Sequence, residues 1–247
     1  MSVTDEVKKL NISIVIPVKD EEENILSLAR EVESAMEGES TEWECIWVDD
    51  GSSDASLLQL QKLARENPRH RYISFERNAG QSAALWAGFG EARAPIIATI
   101  DGDGQNDPAD IPALFRKVQS GEADMANGYR AHRQDDLKRK ISSVLGNGFR
   151  TWLTGKTVRD AGCSTRVFRR ECMESAPRFA GMHRFVPTLA AMQGFTLTET
   201  PVNHRPRIKG SSKYSISNRL WVSLMDILGL FWLRKRALRY TVRTKSD

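Results

Sequence analysis

The sequence lacks the patterns that define several common classes of protein. Its three cysteines, Cys45, Cys163 and Cys172, have no metal-ligand spacing and suggest no disulfide framework. No Gly-x-Gly-x-x-Gly follows the first apolar run and no P-loop is present, so neither a Rossmann dinucleotide site nor a P-loop site is supported. Residues 1–9 contain no apolar stretch of the kind found in signal peptides, so we expect an intracellular protein.

The net charge of +4 hides a strong asymmetry along the chain. Residues 204–247 carry 11 Lys and Arg against 2 Asp and Glu, whereas the remaining residues carry 25 against 30. A basic tail beside apolar residues indicates contact with an anionic membrane surface or with phosphates. Nucleic acid is the competing partner, but it is disfavoured because the aromatic residues of the tail do not interleave with the basic ones. We expect no nucleic acid.

Apolar runs typical of buried strands alternate with segments of helical periodicity through the first half of the chain. The predicted strands cover residues 12–18, 43–48, 70–75, 95–100 and 123–128. This alternation predicts an α/β fold with a doubly wound, mostly parallel sheet and helices on both faces. We predict one domain over residues 1–215, with halves 11–130 and 131–215, and a separate tail over residues 216–247.

Two carboxylates, Asp101 and Asp103, follow the fourth predicted strand, and Gln105 lies two residues further on. They precede a helix that begins near Pro108. Ligands bind at this edge of an open α/β sheet, and oxygen ligands suit Mg²⁺ or Mn²⁺. A metal held there could bind a diphosphate and neutralise its charge. The alternative is an Asp/Gly turn with solvated carboxylates.

Further acidic residues follow the first two strands. The pair Asp49 and Asp50 either belongs to a turn in which Ser52 or Ser53 caps the next helix, or contacts a nucleotide through its carboxylates. Residues 21–23 are all glutamate and are predicted to occupy the first turn of a helix, where the macrodipole favours them.

Residues 216–233 are the most apolar part of the chain. Between Arg219 and Arg234 the single charged residue is Asp226. The run is shorter than the ~20 residues that a bilayer span needs. It therefore predicts an amphipathic helix that lies on an anionic bilayer, followed directly by basic residues. The alternative is a helix packed on the protein's own core.

Four motifs of the first half resemble glycosyltransferase family 2, whose members have the GT-A fold. They cover residues 14–21, 48–54, 78–84 and 101–105. Four segments of the second half resemble the polyprenol-phosphate branch of that family, which includes dolichol-phosphate mannose synthase and bacterial undecaprenyl-phosphate sugar transferases. These segments cover residues 128–130, 137–143, 160–162 and 207–213. The likeness extends over roughly residues 11–215.

The resemblance implies roles for the residues that match these motifs. Pro17, Glu21, Asp49 and Asp50 would line the nucleotide site; Asp101, Asp103 and Gln105 would hold the metal and the diphosphate; Arg130, Arg139 and Ser143 would receive a lipid phosphate; Arg207 and Lys213 would close on the donor diphosphate. The implied cofactor is Mg²⁺ or Mn²⁺. The implied reaction is an inverting transfer of a single sugar from a UDP- or GDP-linked donor to a polyprenyl phosphate, at the cytoplasmic face of the membrane. Asp103, Arg130, Arg139 and Asp160 would be the residues closest to the chemistry.

Two other functions stay open at this stage. One is a soluble glycosyltransferase that acts on a sugar or protein hydroxyl, with Asp160 as the base. The other is a non-catalytic, membrane-peripheral nucleotide-binding protein. The sequence also departs from the family pattern, because Gly102 and Gly104 replace the Ala and Leu often found there, which should loosen the loop. The Gln-x-x-Arg-Trp motif of processive synthases is missing, which disfavours a polymerising role.

Overall fold

A seven-stranded sheet organises the computed structural model, which describes residues 9–39, 41–131, 158–206 and 217–236, with the backbone alone for residues 217–224. The strands are β1 (Ile12–Val18), β2 (Trp43–Asp49), β3 (His70–Ser74), β4 (Ile96–Thr99), β5 (Met125–Arg130), β6 (Arg166–Arg169) and β7 (Leu197–Val202). Their order is β3-β2-β1-β4-β6-β5-β7. All neighbours are parallel except β6, which is antiparallel to both β4 and β5. The mostly parallel sheet expected from the sequence is confirmed.

Helices cover both faces of this sheet. They are α1 (Ile25–Glu37), α2 (Ser56–Glu66), α3 (Gln81–Glu91), α4 (Ile111–Gln119), α5 (Glu171–Glu174) and α6 (Val186–Met192), with short 3₁₀ turns at Pro108–Asp110 and Met182–Arg184. A further helix, α7 (Ser217–Arg236), belongs to a separate unit of the chain. Successive side chains of a strand point to opposite faces. Ile14 of β1 belongs to the same buried cluster as Leu28 of α1, whereas Val15 faces Gly88 of α3.

The central strands β1 and β2 are mostly apolar because both of their faces are covered. Every residue of both strands is buried. A strand buried on two sides has no solvent face to fill with polar residues, so it appears in the sequence as a continuous apolar run. The carboxyl ends of these parallel strands lie at one edge of the sheet, and the acidic motifs follow at that edge.

Two expectations about the helix starts are wrong. Helix α1 begins at Ile25, so residues 21–23 precede it and do not form its first turn. Helix α2 begins after Ala55 and has no side-chain cap from Ser52 or Ser53. The reason is that the backbone N–H of Ala55 donates instead to Oε2 of Glu22 at 2.8 Å. The helix start thus has one acceptor from the loop after β1, and one local acceptor, because Oδ1 of Asp54 accepts from the backbone N–H of Ser56 at 2.9 Å.

The chain divides into two compact units. One comprises Met1–Gln134 and Val158–Ser212, and the other comprises Asp135–Thr157 and Lys213–Asp247. In the second unit the structure describes helix α7, which extends three residues beyond the predicted end. Over the described residues, no helix is long and apolar enough to cross a membrane.

Candidate functional site

The loops that follow β1 and β2 are joined to each other at the carboxyl edge of the sheet. The backbone N–H of Asp20 donates to Oγ of Ser52 at 2.8 Å, and the backbone N–H of Ser53 donates to Oδ1 of Asp20 at 2.7 Å. The side chain of Lys19 donates to the carbonyl oxygen of Gly51. Asp20 has a φ of 50°, a left-handed conformation that its contacts with the second loop hold in place. The two loops therefore form one rigid wall of the site.

Asp49 and Asp50 are both buried, and their carboxylates organise this wall. Asp49 accepts hydrogen bonds from the backbone N–H of Ser52 at 2.9 Å and from Oγ of Ser74 at 2.7 Å. Asp50 accepts from the backbone N–H groups of Ala79 at 2.6 Å and Gly80 at 2.9 Å. The pair thus fixes the loop that leads into α3. A nucleotide contact by either carboxylate remains a prediction.

Pro17 and Glu21 lie at the same edge of the sheet. Pro17 is buried in β1 and aligns with Val48 of β2. The carboxylate of Glu21 accepts a hydrogen bond from Nδ2 of Asn24 at 2.6 Å, and its backbone N–H donates to Oγ of Ser56 at 2.9 Å. Both residues stand where the nucleotide site was expected, and their role there stays a prediction.

Asp101 stands at the centre of the edge, directly beyond β4. Its Oδ1 accepts a hydrogen bond from Nε2 of Gln81 at 2.7 Å, and its Oδ2 accepts one from Oγ of Ser164 at 2.6 Å. Burial raises the pKa of Asp101; the hydrogen bond from Ser164 opposes this effect, and the nearby charge of Asp103 adds to it. Both oxygens are therefore held in one orientation in a weakly solvated place.

The residues from Asp101 to Gln105 fit a divalent cation that is bound by one or two carboxylates and takes its remaining ligands from a substrate. Oδ1 of Asp103 accepts from the backbone N–H of Gln105 at 3.1 Å, which closes a tight turn around the motif. In the described part of the chain, no cluster of three or more His, Cys, Asp or Glu side chains could hold a metal. Mg²⁺ is typically bound through one or two carboxylates together with substrate phosphates and water. The repulsion between Asp101 and Asp103 is what such a cation would relieve.

Gly102 packs the motif tightly against β1. A Cβ at this position would lie 2.5 Å from Cγ1 of Val18 and 2.9 Å from the carbonyl oxygen of Pro17. The expectation that Gly102 loosens the loop is therefore wrong, because the space of its missing side chain is filled by Val18. Gly104 differs, since its φ of +72° requires the left-handed conformation that glycine adopts freely.

A second charged pair, Arg130 and Asp160, closes the site on the side of β5. Nε of Arg130 donates to Oδ2 of Asp160 at 2.7 Å, and Nη2 donates to Oδ1 at 2.9 Å. These two parallel hydrogen bonds form a bidentate pair, which fixes the orientation of the guanidinium. A Cβ at Gly162 would be 3.5 Å from both side chains, so the segment passes directly beside the pair. The structure thus brings together two residues that the sequence assigned to separate roles.

After β7 the chain returns to the acidic motif, residues 101–105. His204 forms an isolated bridge with Asn106, and the backbone N–H of Arg205 donates to the carbonyl oxygen of Gln105 at 2.9 Å. Nη2 of Arg205 lies 2.8 Å from Oδ1 of Asp107. This contact anchors the chain two residues before Arg207.

Four predicted site residues lie outside the described residues: Arg139, Ser143, Arg207 and Lys213.

Sequence reasoning missed three residues of the site: Gln81, Ser164 and Arg166. Arg166 is 3% exposed and donates to Oδ1 of Asn127 at 3.0 Å, to the carbonyl oxygen of Ala161 at 2.7 Å and to that of His183 at 2.9 Å. Burial lowers the pKa of the Arg166 guanidinium. The sequence carries no clear signal for Arg166, because an arginine stands at each end of the short strand β6 (Arg166–Arg169) and the pattern does not reveal which one is buried.

The fold is shared with proteins of known structure. Glucosyl-3-phosphoglycerate synthase from Mycobacterium tuberculosis, in complex with Mn²⁺ and UDP-glucose, superposes with a TM-score of 0.65 at 18% identity. The match covers 91% of this chain and 79% of that one. The predicted GT-A architecture is therefore confirmed. Residues 13–175 match the sequence profile of Glycosyl transferase family 2, and the chain belongs to this family.

Curated relatives narrow the resemblance within the family. The chain is 38% identical over 238 residues to dodecaprenyl-phosphate galacturonate synthase of Rhizobium johnstonii. This alignment covers 94% of this chain and 70% of the relative. It is 40% identical over 205 residues to undecaprenyl-phosphate 4-deoxy-4-formamido-L-arabinose transferase of Salmonella choleraesuis, covering 83% of this chain and 62% of the relative. The expected likeness to polyprenol-phosphate sugar transferases is confirmed. The chain is of the glycosyltransferase class, so the non-catalytic interpretation is wrong.

Proposed function

We propose that this protein transfers one sugar from a UDP- or GDP-linked donor to a polyprenyl phosphate, with Mg²⁺ or Mn²⁺ as cofactor. The observation that carries the proposal is that an acidic pair and an Arg–Asp pair share one edge of the sheet. Asp101 and Asp103 suit a metal-bound diphosphate, whereas Arg130 suits an anionic acceptor. The names of the two curated relatives support the acceptor class, because both describe transfer to a polyprenyl phosphate.

The donor would lie against the loops after β1, β2 and β4. Asp101, Asp103 and Gln105 would hold the cation and the diphosphate, and the cation would neutralise the charge of the departing nucleoside diphosphate. Arg207 and Lys213 would add positive charge to the same leaving group. The crystal complex of the mycobacterial glucosyltransferase with Mn²⁺ and UDP-glucose supports this type of donor site on the shared fold.

The acceptor phosphate would be held by Arg130, Arg139 and Ser143. An oxygen of that phosphate forms a bond to the anomeric carbon of the donor while the bond from this carbon to the diphosphate oxygen breaks. The bonding electrons leave with the nucleoside diphosphate, and attack from the opposite side inverts the anomeric configuration. A phosphate monoester is already an anion near neutral pH. It therefore needs positioning more than deprotonation.

Helix α7 would bring the domain to the membrane that contains the acceptor. Met225, Leu228 and Trp232 are exposed on this helix, and Trp232 is 60% exposed. Its last turn carries the basic residues Arg234, Lys235 and Arg236. Exposed apolar side chains beside a basic cluster favour binding to an anionic bilayer. We propose a peripheral position on the cytoplasmic face of the membrane.

The second candidate function is transfer to a sugar or protein hydroxyl with Asp160 as the base. A hydroxyl must lose its proton during the reaction, so this mechanism needs a carboxylate that can accept it. Both oxygens of Asp160 are engaged by Arg130, at 2.7 and 2.9 Å. A carboxylate oxygen has two lone pairs, so these hydrogen bonds do not by themselves prevent proton uptake; the names of the two relatives are what favour the phosphate acceptor.

A transfer assay tests the proposed function. Purified protein is incubated with Mg²⁺ or Mn²⁺, radiolabelled UDP- and GDP-sugars, and a short polyprenyl phosphate in detergent. We expect label to move into the organic phase for one donor, and to stop doing so with EDTA, with Asp103→Asn and with Arg139→Ala. Glu122→Gln is the matched control, because Glu122 is an exposed carboxylate that pairs with Lys117 away from this edge of the sheet. Release of nucleotide without organic-phase label for any donor would contradict the proposal and redirect attention to a hydroxyl acceptor.

A further inference from the structure

Residues 160–165, called here the bridging segment, contact both charged pairs of the site. The segment begins at Asp160, which binds Arg130 on the side of β5. It ends at Ser164, which contacts Asp101 on the side of β4, and at Thr165, which contacts Asn106. The antiparallel strand β6 then follows, between β4 and β5. A single short segment therefore connects the two halves of the proposed reaction.

The acceptor end of the segment fixes the orientation of Arg130. A guanidinium has five N–H donors in one plane, so two parallel hydrogen bonds to a carboxylate leave it little freedom to rotate. Asp160 makes both bonds, and its own backbone carbonyl accepts a hydrogen bond from Nδ2 of Asn127 at 3.1 Å. The position of the carboxylate is thereby fixed relative to strand β5, from which Arg130 itself projects.

The donor end of the segment fixes the orientation of Asp101. Oγ of Ser164 lies 2.6 Å from Oδ2 of Asp101 and 3.0 Å from Oδ1 of Asn106. The carbonyl oxygen of Ser164 accepts a hydrogen bond from Oγ1 of Thr99 at 2.6 Å, which ties the segment to the last residue of β4. Nδ2 of Asn106 donates in turn to Oγ1 of Thr165 at 2.9 Å. The hydroxyl of Ser164 thus meets Asp101 at a place fixed by three separate contacts.

The interior of the segment is held as firmly as its ends. Nη2 of the buried Arg166 donates to the carbonyl oxygen of Ala161 at 2.7 Å. The backbone N–H of Cys163 donates to the carbonyl oxygen of Asp160 at 3.1 Å and closes a turn. Ala161, Cys163 and Thr165 are each at most 1% exposed. The segment is therefore anchored to the core along its length, and each end is held in place by its own contacts.

We propose that the bridging segment aligns the acceptor phosphate with the donor diphosphate. Asp160 is a positioning residue that acts through Arg130, and Ser164 is a positioning residue that acts through Asp101. The inference rests on the proposed function, because it needs an anionic acceptor at Arg130 and a donor at Asp101. Alignment matters since a misplacement of reacting groups by about 1 Å can cost ~100-fold in rate.

The test compares two variants whose defects should differ. Asp160→Asn removes the charge that orients Arg130, so we expect the KM for polyprenyl phosphate to rise about tenfold or more while the KM for the donor is unchanged. Ser164→Ala removes a hydrogen bond to Asp101, so the KM for the donor should rise instead. Glu199→Gln is the matched control, because it disrupts the neighbouring contact between Arg159 and Glu199 outside the segment, and it should change neither KM.

Two further readouts separate positioning from other roles. If Asp160 only positions Arg130, Asp160→Asn keeps the shape of the pH–rate profile, and Asp160→Glu restores part of the acceptor affinity. Loss of the acid limb of the profile would instead identify Asp160 as a base and overturn the inference. Equal increases of both KM values in Asp160→Asn and Ser164→Ala, with lowered melting temperatures, would also overturn it, because they would indicate a purely structural segment.

A failure of the proposed function gives a different result from a failure of this inference. If the wild-type protein labels no polyprenyl phosphate, the acceptor assignment is wrong. Donor binding is then measured directly by calorimetry with Mg²⁺ and the nucleotide sugar. Weaker binding in Ser164→Ala with unchanged binding in Asp160→Asn would support the donor end of the segment, whereas equal binding in wild type and Ser164→Ala would overturn it.

Discussion

Replacing Gly88 of α3 by alanine should destabilise the fold, because the new methyl group would meet strand β1. A Cβ at Gly88 would lie 2.3 Å from Cγ1 of Val15 and 3.2 Å from Cγ2 of Val48. Both valines are fully buried in the central strands. A β-branched side chain has few rotamers available, so neither valine can turn away, and the helix must move instead.

The expected size of the effect follows from two opposing contributions. Overpacking a core costs about 1–3 kcal/mol, and a contact as short as the one to Val15 belongs near 3 kcal/mol. Alanine favours the helix over glycine by about 1 kcal/mol. The free energy of unfolding should therefore fall by about 2 kcal/mol, and the melting temperature should fall by roughly 4–8 °C for a protein of this size.

Gly90→Ala is the matched control on the same helix. A Cβ at Gly90 would meet nothing within 4 Å, so this variant should gain the helix preference of about 0.5–1 kcal/mol with no packing cost. Both variants are compared with wild type by urea denaturation and thermal melting. Gly88→Ala should also lose activity, because the displaced helix carries Gln81 and its hydrogen bond to Asp101. Equal stability of the two variants would refute the reasoning.

Three further predictions concern buried groups. Burial lowers the pKa of His70 below 6.5 and Trp47 donates to its Nδ1, so the folded protein binds a proton at this ring less readily than the unfolded chain does. Stability should therefore fall as the pH drops below about 6.5, and urea titrations showing the same fall in His70→Gln would contradict this. Arg166→Met should lower the free energy of unfolding by about 3 kcal/mol or more, because three buried oxygens lose their hydrogen-bond donor. A loss below about 1 kcal/mol, measured by chemical denaturation, would be inconsistent with this prediction. The three cysteines are buried, and burial raises the pKa of each thiol, that of Cys172 to about 12. A thiol reagent near pH 8 should therefore label them in urea but not in the native protein. Rapid labelling of the native protein would disprove their burial.

The first half of the fold could be predicted from the sequence because its signals are local. Strands β1 and β2 are mostly apolar runs, the first interrupted by Ser13 and the second by Glu44, and acidic residues follow along the chain at the ends of β2 and β4. Parallel strands place their carboxyl ends at one edge, so strand order along the chain was sufficient to gather Asp50 and Asp101 there. The insertion of antiparallel β6 between β4 and β5 was not predictable, because nothing in the sequence of a four-residue strand specifies its neighbours.

The contacts that orient the site depend on distant parts of the chain. Asp101 is held by Gln81, 20 residues before it, and by Ser164, 63 residues after it. Neither residue carries a local pattern that distinguishes it from a solvated polar side chain. For the same reason Asp160 was considered as a base, although in the fold it lies against Arg130, 30 residues before it. Residue types could be predicted from the motifs, but pairings required the three-dimensional arrangement.

The central claim is that the acceptor is a lipid phosphate, and one measurement tests it most directly. Purified protein is given a labelled nucleotide sugar and Mg²⁺ or Mn²⁺, with either a short polyprenyl phosphate or the matching polyprenol, which lacks the phosphate. The product is identified by mass spectrometry. We predict a polyprenyl phosphate carrying exactly one sugar, and no product from the polyprenol. Equal transfer to the polyprenol, or transfer to a sugar hydroxyl with none to the lipid phosphate, would contradict the account.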